Sequence, residues 1–396
     1  MRYTLMNQEH EVLDFSYDPG SQTVSDVRML EGAAWAPFDM PTDGHNPVSS
    51  LDHLLGQRAI CPVRDDLPQI LDAVGASSAV ELALISGGFS LSDQYWYRPE
   101  GSSLTWEDSN FFDNAWDPAF GEAVLSQDYD TLSRASFHTP DMTLGGFCRK
   151  AWVLTDGGPR LLKTAPRDGE AGIHCEALAS CMLDRLVGKY GHVHYEPMMF
   201  GGEIYSSSPV MVGKGEELVT GSQILTKEGV DISELDAQAG VRDFEGYVNT
   251  YMQALERNGV PEPRQAMAKM FVMATLVLDF DTHPANLGLI RDVETCSLRL
   301  APFYDHGRAF LFMRDKFEII CRTPKVADLI LGLYFSRLDP SWDYSWYDPH
   351  ALDGFEDVIA ESLSAVESLP KGYAELMAGL FVKQRAYVNR IAGSPR

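Results

Sequence analysis

The chain has 396 residues, 45% of them hydrophobic, an ordinary globular composition and enough length for two or three domains. Lys and Arg number 32 against 57 for Asp and Glu, a formal net charge of -25. A field of that sign repels phosphate backbones and anionic headgroups, so direct binding of nucleic acid or of a membrane by this chain is not expected.

The six cysteines, Cys61, Cys148, Cys175, Cys181, Cys296 and Cys321, are scattered, with no C-x-x-C pair and no partnered His. That spacing argues against a zinc site or a disulfide framework and for reduced thiols. The opening MRYTLMNQEHEVLDF has no basic segment followed by an apolar run. The longest apolar stretch, Met270 to Leu278, is far too short to span a bilayer. The expected location is the cytoplasm.

In chain order, Met1 to Leu5 and Val12 to Tyr17 are predicted to pair as strands, and Leu51 to Leu55 and Leu67 to Val74 to form short helices. Residues 89 to 114 are dense in aromatics; they form either a docking face or the anchors of a long loop. Lys150 to Thr155 and Arg160 to Ala165 flank Asp156-Gly157-Gly158-Pro159, which predicts a hairpin. Cys175, Ala179, Met182 and Leu186 form one stripe of a helix over 171 to 187. A strand is expected at Ser208 to Val212, helices at Val241 to Arg257 and Pro263 to Leu278, and a strand–loop–strand zone at 279 to 313. Residues 349 to 391 are predicted to be mostly helical. The aromatics of SWDYSWYDP (341 to 349) are expected to pack within a loop.

Five features recur in the order that phosphoryl transfer from a nucleotide requires. Gly145-Gly146 precedes a strand and permits close backbone approach to phosphates, with Thr143 and Lys150 on either side. Lys163 stands on the second strand of the hairpin and Glu176 in the following helix, the arrangement of a phosphate-binding Lys and the carboxylate that fixes it. VLDFDTHPANLGLI (277 to 290) carries Asp281 and Asn286 five apart, the spacing of an acceptor-orienting Asp and a metal-binding Asn. The same residues could instead cap a polar turn. His283 between them either contacts a γ-phosphate or is a structural histidine. LRLAPFYDHGRAFLF (298 to 312) is an apolar strand ending in Asp305-His306-Gly307, similar to a D-F-G segment with His in place of Phe. Backbone groups near Pro209 to Val212, including Val210 and Val212, are expected at the adenine.

The D-x-H-x-x-N loop followed by A-P-x-Y-D resembles HipA-like kinases, whose fold relates to the phosphatidylinositol kinases. The resemblance covers about residues 140 to 390, with Cys148 where a G-x-Q-x-K core would place Gln. It implies an α+β, two-lobed kinase-like fold: an N-terminal accessory region (1–130), a strand-rich ATP-binding small lobe (131–213) and a helical catalytic lobe (214–396). It implies ATP and Mg2+ as cofactors, Asp281 as the catalytic Asp, Asn286 and Asp305 as metal ligands and Lys163 as the ATP lysine. The implied activity is phosphorylation of Ser or Thr on a protein substrate, as a toxin held by a DNA-binding helix-turn-helix antitoxin. A small-molecule or lipid kinase and a catalytically silent binding protein are the alternatives. Ser133, Ser136, Thr139 and Thr143 lie just before the glycine turn, where a phosphate would add about -1.5 to -2 charge. The resemblance implies self-phosphorylation there as a brake, with Thr143 nearest the matching position.

Overall fold

Alternating apolar residues pair the first two strands as predicted. In the computed structural model, which describes residues 1–41, 47–165, 169–230, 244–279, 286–310 and 338–393, β1 (Arg2–Asn7) and β2 (His10–Asp18) are antiparallel. Tyr3 stands opposite Phe15 and Leu5 opposite Leu13. β3 (Thr23–Met29) adds to the far edge of β2. On one face of the sheet Tyr3, Leu5, Leu13 and Phe15 are buried against Leu51 of α1 (Pro47–Gln57), Ile70 of α2 (Leu67–Val74) and Leu82 of α3 (Ala79–Ile85). Both short helices are delimited by local chemistry: Gly75, at φ 71°, ends α2, and Ser78 caps α3 by accepting from the Glu81 N–H at 3.1 Å.

β4 (Tyr95–Pro99) closes the sheet in the order β3-β2-β1-β4. Its period of two sends Tyr95 and Tyr97 into the first core and Trp96, opposite Met6, into a second. That second core gathers Phe89, Trp96, Phe111, Trp116 and Trp106 of α4 (Trp106–Ser109). The aromatics of 89–114 are therefore packing groups and not a docking face. The large rings remove more apolar area from water against one another than an exposed loop would allow. α5 (Ala119–Ser126) and α6 (Tyr129–Leu132) follow. They lead to the predicted hairpin of β5 (Lys150–Thr155) and β6 (Gly158–Lys163), which pair from Lys150↔Lys163 to Thr155↔Gly158.

Next come α7 (Glu170–Val187) and the hairpin β7 (Glu196–Phe200) and β8 (Glu203–Pro209). The strand expected at 208–212 thus lies earlier and stops at Pro209, which has no N–H to offer a ladder. β9 (Glu216–Thr220) runs into α8 (Gly221–Lys227) through a Thr220–Gln223 capping box. α9 (Phe244–Arg257) and α10 (Pro263–Leu276) precede β10 (Gly288–Asp292) and β11 (Leu298–Leu300). α10 is buried all round from Ala266 to Leu276 except at Lys269, as expected of a helix without a polar face. α11 (Phe355–Ser364) and α12 (Tyr373–Ala392) complete the chain, and Trp342, Tyr344 and Tyr347 are buried in the loop before them. Among the described residues no single helix is long and apolar enough to cross a membrane.

The chain divides into two compact units. One comprises Met1–Thr164, Pro209–Leu218 and Ile290–Ser297; the other comprises Ala165–Ser208, Val219–Leu289 and Leu298–Arg396. The first is stitched from distant segments by a buried ion pair. Arg291 donates to Glu217 Oε1 at 2.9 Å and to the Ala36 carbonyl at 3.2 Å. Burial lifts the Glu217 carboxyl above its ordinary range, and the Arg291 guanidinium pulls it back.

Candidate active site

In the first unit the hairpin register sets Lys150 directly opposite Lys163. Cross-strand partners carry their side chains on one face, about 5 Å apart at Cβ, so two ammonium groups share a single ladder position. The ladder continues one step further, where the Thr164 N–H donates to the Arg149 carbonyl at 2.9 Å. Gly146, at φ 89°, turns the chain just before the strand. A Cβ there would stand 2.7 Å from Lys150 Nζ, the movable end of a flexible side chain, so it is the left-handed backbone that calls for glycine. Gly145 lies close to the Gln57 carbonyl, and Val210 and buried Val212 follow the end of β8.

A buried carboxyl anchors the segment leading to this turn. Asp141 accepts from Thr139 Oγ1 at 2.6 Å and from the Trp152 N–H of β5 at 2.7 Å. Burial pushes its carboxyl up to about 6 from 3.8, against the pull of those two hydrogen bonds. The folded chain therefore holds this proton more tightly than the unfolded chain does. The resulting stability is full below 3.8 and is lost as pH rises through about 6. Asn mimics the protonated acid, so Asp141→Asn should remove this slope. From about pH 5 to about pH 8 the wild type should lose about 1–1.5 kcal/mol more than the variant. Urea midpoints of both proteins at the two pH values check it, and parallel pH dependences would show that Asp141 does not titrate in this range.

The four hydroxyls before the turn differ in access. Ser133 and Ser136 are exposed, whereas Thr139 is buried and caps a 3-10 turn. Thr143 is half-buried, with its hydroxyl 3.3 Å from the Pro140 carbonyl.

In the second unit Glu176 is buried on α7 and accepts from the Ser206 hydroxyl of β8. A surface carboxylate would need no such partner. β10 and β11 are antiparallel: the Asp292 N–H meets the Ser297 carbonyl and the Ala301 N–H meets the Gly288 carbonyl, each at 3.0 Å. Asn286, two residues before Gly288, and Asp305, four after Ala301, consequently leave the same end of this ladder. Asp305 is exposed, at φ 59°, and its N–H donates to the Tyr195 hydroxyl at 3.0 Å. The left-handed backbone is sterically unfavourable for a side chain, and the tyrosine holds the residue in it. His306 fills the place of a D-F-G phenylalanine as an aromatic would. It is buried, 4.7 Å from the Phe303 ring and 5.9 Å from the Tyr195 ring. Asp281 and His283 lie outside the described residues.

Lys150 thus stands opposite Lys163 with Gly146 near Lys150 Nζ on one unit, and Asn286 and Asp305 follow the same end of one strand ladder on the other. Ser206 and Tyr195 escaped the sequence reading. Ser206 had one signal, since Ser206-Ser207-Ser208 is a polar run inside an otherwise strand-like segment.

No protein-family profile matches the chain, and no curated protein does. The solved structures similar to this chain include two kinds of protein. The Helicobacter pylori proinflammatory kinase CtkA is 15% identical over 61% of this chain and 92% of its own, with a TM-score of 0.42. A chain of the Shewanella oneidensis MR-1 toxin–antitoxin complex of HipA, HipB and operator DNA is 12% identical over 100% of both chains, with a TM-score of 0.53. The α+β arrangement described above, carried over the full length of the Shewanella chain, is a HipA-like kinase fold.

Proposed function

We propose that this chain transfers the γ-phosphoryl group of ATP to a Ser or Thr hydroxyl of a protein, with magnesium, in the manner of a HipA-like kinase. The observation that carries the proposal is the exit of Asn286 and Asp305 from the same end of the β10–β11 ladder. A carboxylate and an amide oxygen are hard donors that suit Mg2+. The bare backbone of Gly146 beside Lys150 and Lys163 suits the nucleotide's phosphates. Lys163 would hold the α and β phosphates. Lys150, Gly145, Gly146 and Thr143 would line the phosphate loop, and Val210 and Val212 the adenine. Asp281 would orient the acceptor hydroxyl and take its proton, and His283 would contact the γ-phosphate.

The division into an accessory region (1–130), an ATP-binding lobe (131–213) and a catalytic lobe (214–396) belongs to this proposal. So does the partner. The Shewanella complex holds HipB and operator DNA, and a basic helix-turn-helix antitoxin would supply the DNA contact that a chain of net charge -25 does not favour. If a brake operates before the glycine turn, Ser133 and Ser136 are its accessible hydroxyls and Thr139 is not.

The test is Asp305→Ala. Removing a hard ligand beside the triphosphate should abolish the magnesium-dependent part of the thermal stabilisation given by ATP, while the small magnesium-independent part remains. An unchanged magnesium-dependent shift in the variant would remove Asp305 from the metal site.

A further inference from the structure

At the C-terminal end of α7 three metal-ligating side chains converge. Asp184 in the last turn of α7 faces His192 and His194, which lie two apart in the segment that leads into β7. Their ligating atoms all fall within 4.8 Å of one another. His192 Nε2 is 3.1 Å from Asp184 Oδ1, and His194 Nδ1 is 3.3 Å from Asp184 Oδ2. Donor atoms held about 2.0–2.1 Å from a tetrahedral zinc ion are separated by about 3.3 Å, so both spacings fit.

The surroundings of His192 carry the argument further. The ring is fully buried, and its other nitrogen, Nδ1, lies 3.0 Å from the Val193 carbonyl oxygen. Both nitrogens therefore face oxygens that only accept. With the Nδ1 proton given to the carbonyl, Nε2 turns a lone pair towards a carboxylate oxygen. Two arrangements resolve that conflict: a doubly protonated ring, or a cation between Nε2 and Asp184. The second is favoured by the second histidine, since His194 brings another nitrogen to the same carboxylate. A backbone carbonyl fixing the tautomer of a ligating His is also the usual outer support of a metal site.

We infer that Asp184, His192 and His194 form a site for a divalent transition metal of the zinc class, distinct from the magnesium site proposed above. Two nitrogens and one carboxylate oxygen suit Zn2+ or Co2+, whereas Mg2+ prefers oxygen throughout. His194 is 44% exposed, so a fourth position is open to water. The site has a structural consequence as well. The segment it would fasten to α7 is bonded to the strand leading to Asp305: the Val193 N–H donates to the Phe303 carbonyl at 2.8 Å, and Tyr195 holds the Asp305 N–H. A metal here braces that segment from behind.

The test uses the full chain, stripped with a chelator, and ZnCl2, CoCl2 or MgCl2 alone, without nucleotide. Calorimetry should find one equivalent of Zn2+ bound, with thermal stabilisation that MgCl2 does not give. The Co2+ form should show the intense visible absorption of a four-coordinate ion. His194→Ala, at the half-exposed position and expected to fold, should weaken Zn2+ binding at least tenfold, and Asp184→Asn should do the same. Cys181→Ser, one turn earlier on α7, should leave binding unchanged. No stoichiometric Zn2+ binding by the wild type would overturn the inference. Binding that survives His194→Ala but is lost in Cys181→Ser would overturn it too. Neither result bears on ATP.

Discussion

Asp281→Asn should lower phosphoryl transfer by about two to four powers of ten and leave ATP binding intact. The substitution keeps the shape of the side chain and removes its basicity. A proton-accepting carboxylate acts only when the acceptor hydroxyl attacks, so its loss falls on turnover rather than on binding of the nucleotide. The groups proposed to bind ATP are elsewhere: Lys150 and Lys163 opposite each other on the β5–β6 hairpin, Gly146 beside them, and Asn286 with Asp305 at the end of the β10–β11 ladder. Transfer of label from radioactive ATP to protein in a cell lysate measures turnover, and thermal stabilisation by magnesium-ATP measures binding. If both fall together, Asp281 supports the loop and does not orient the acceptor.

Arg291→Met should destabilise the first unit by about 3–5 kcal/mol. Arg291 and Glu217 are 6% and 3% exposed, so removing the cation strands a carboxylate in an apolar interior. It also strips the Ala36 carbonyl of a donor, which leaves a second buried polar group without that partner. The paired substitution Arg291→Met with Glu217→Leu should recover most of the loss, because two apolar side chains of similar bulk carry no desolvation penalty. Urea unfolding of the wild type, the single variant and the double variant gives the comparison. A single variant as stable as the wild type would mean that water reaches Glu217.

The sequence was most informative where the chain makes its structure from near neighbours. The β5–β6 hairpin follows from Asp156-Gly157 between two apolar runs, and α7 from the spacing of Cys175, Ala179, Met182 and Leu186. The opposed lysines do not: the expected four-residue turn, Asp156 to Pro159, would set Lys150 against Ala165, whereas β6 begins at Gly158 and a two-residue turn brings Lys150 opposite Lys163. Where contacts span long separations the sequence is silent. The Glu176–Ser206 bond bridges 30 residues, and the Arg291–Glu217 pair bridges 74. No local period records either. Aromatic density at 89–114 reads the same whether the rings face solvent or a core, and only the sheet decides that Trp96 points inward with Met6. The cysteine spacing that argued against a zinc site concerned thiols alone. It did not extend to His192 and His194, whose carboxylate partner is on a neighbouring helix.

The discontinuous first unit has a consequence for the chain's birth on the ribosome. Residues through Thr164 emerge early, yet their unit also needs 209–218 and 290–297, and Arg291 arrives near the end of that list. At synthesis rates of about 5–20 residues per second, the nascent N-terminal part waits roughly six to twenty-five seconds for its last strand. Contacts closed over such separations are slow to form, and until then the edge of the early sheet and its aromatic core are without their final cover. Truncation before residue 290 should for that reason yield a chain that aggregates rather than an isolated N-terminal domain, even though more than two-thirds of its sequence is present.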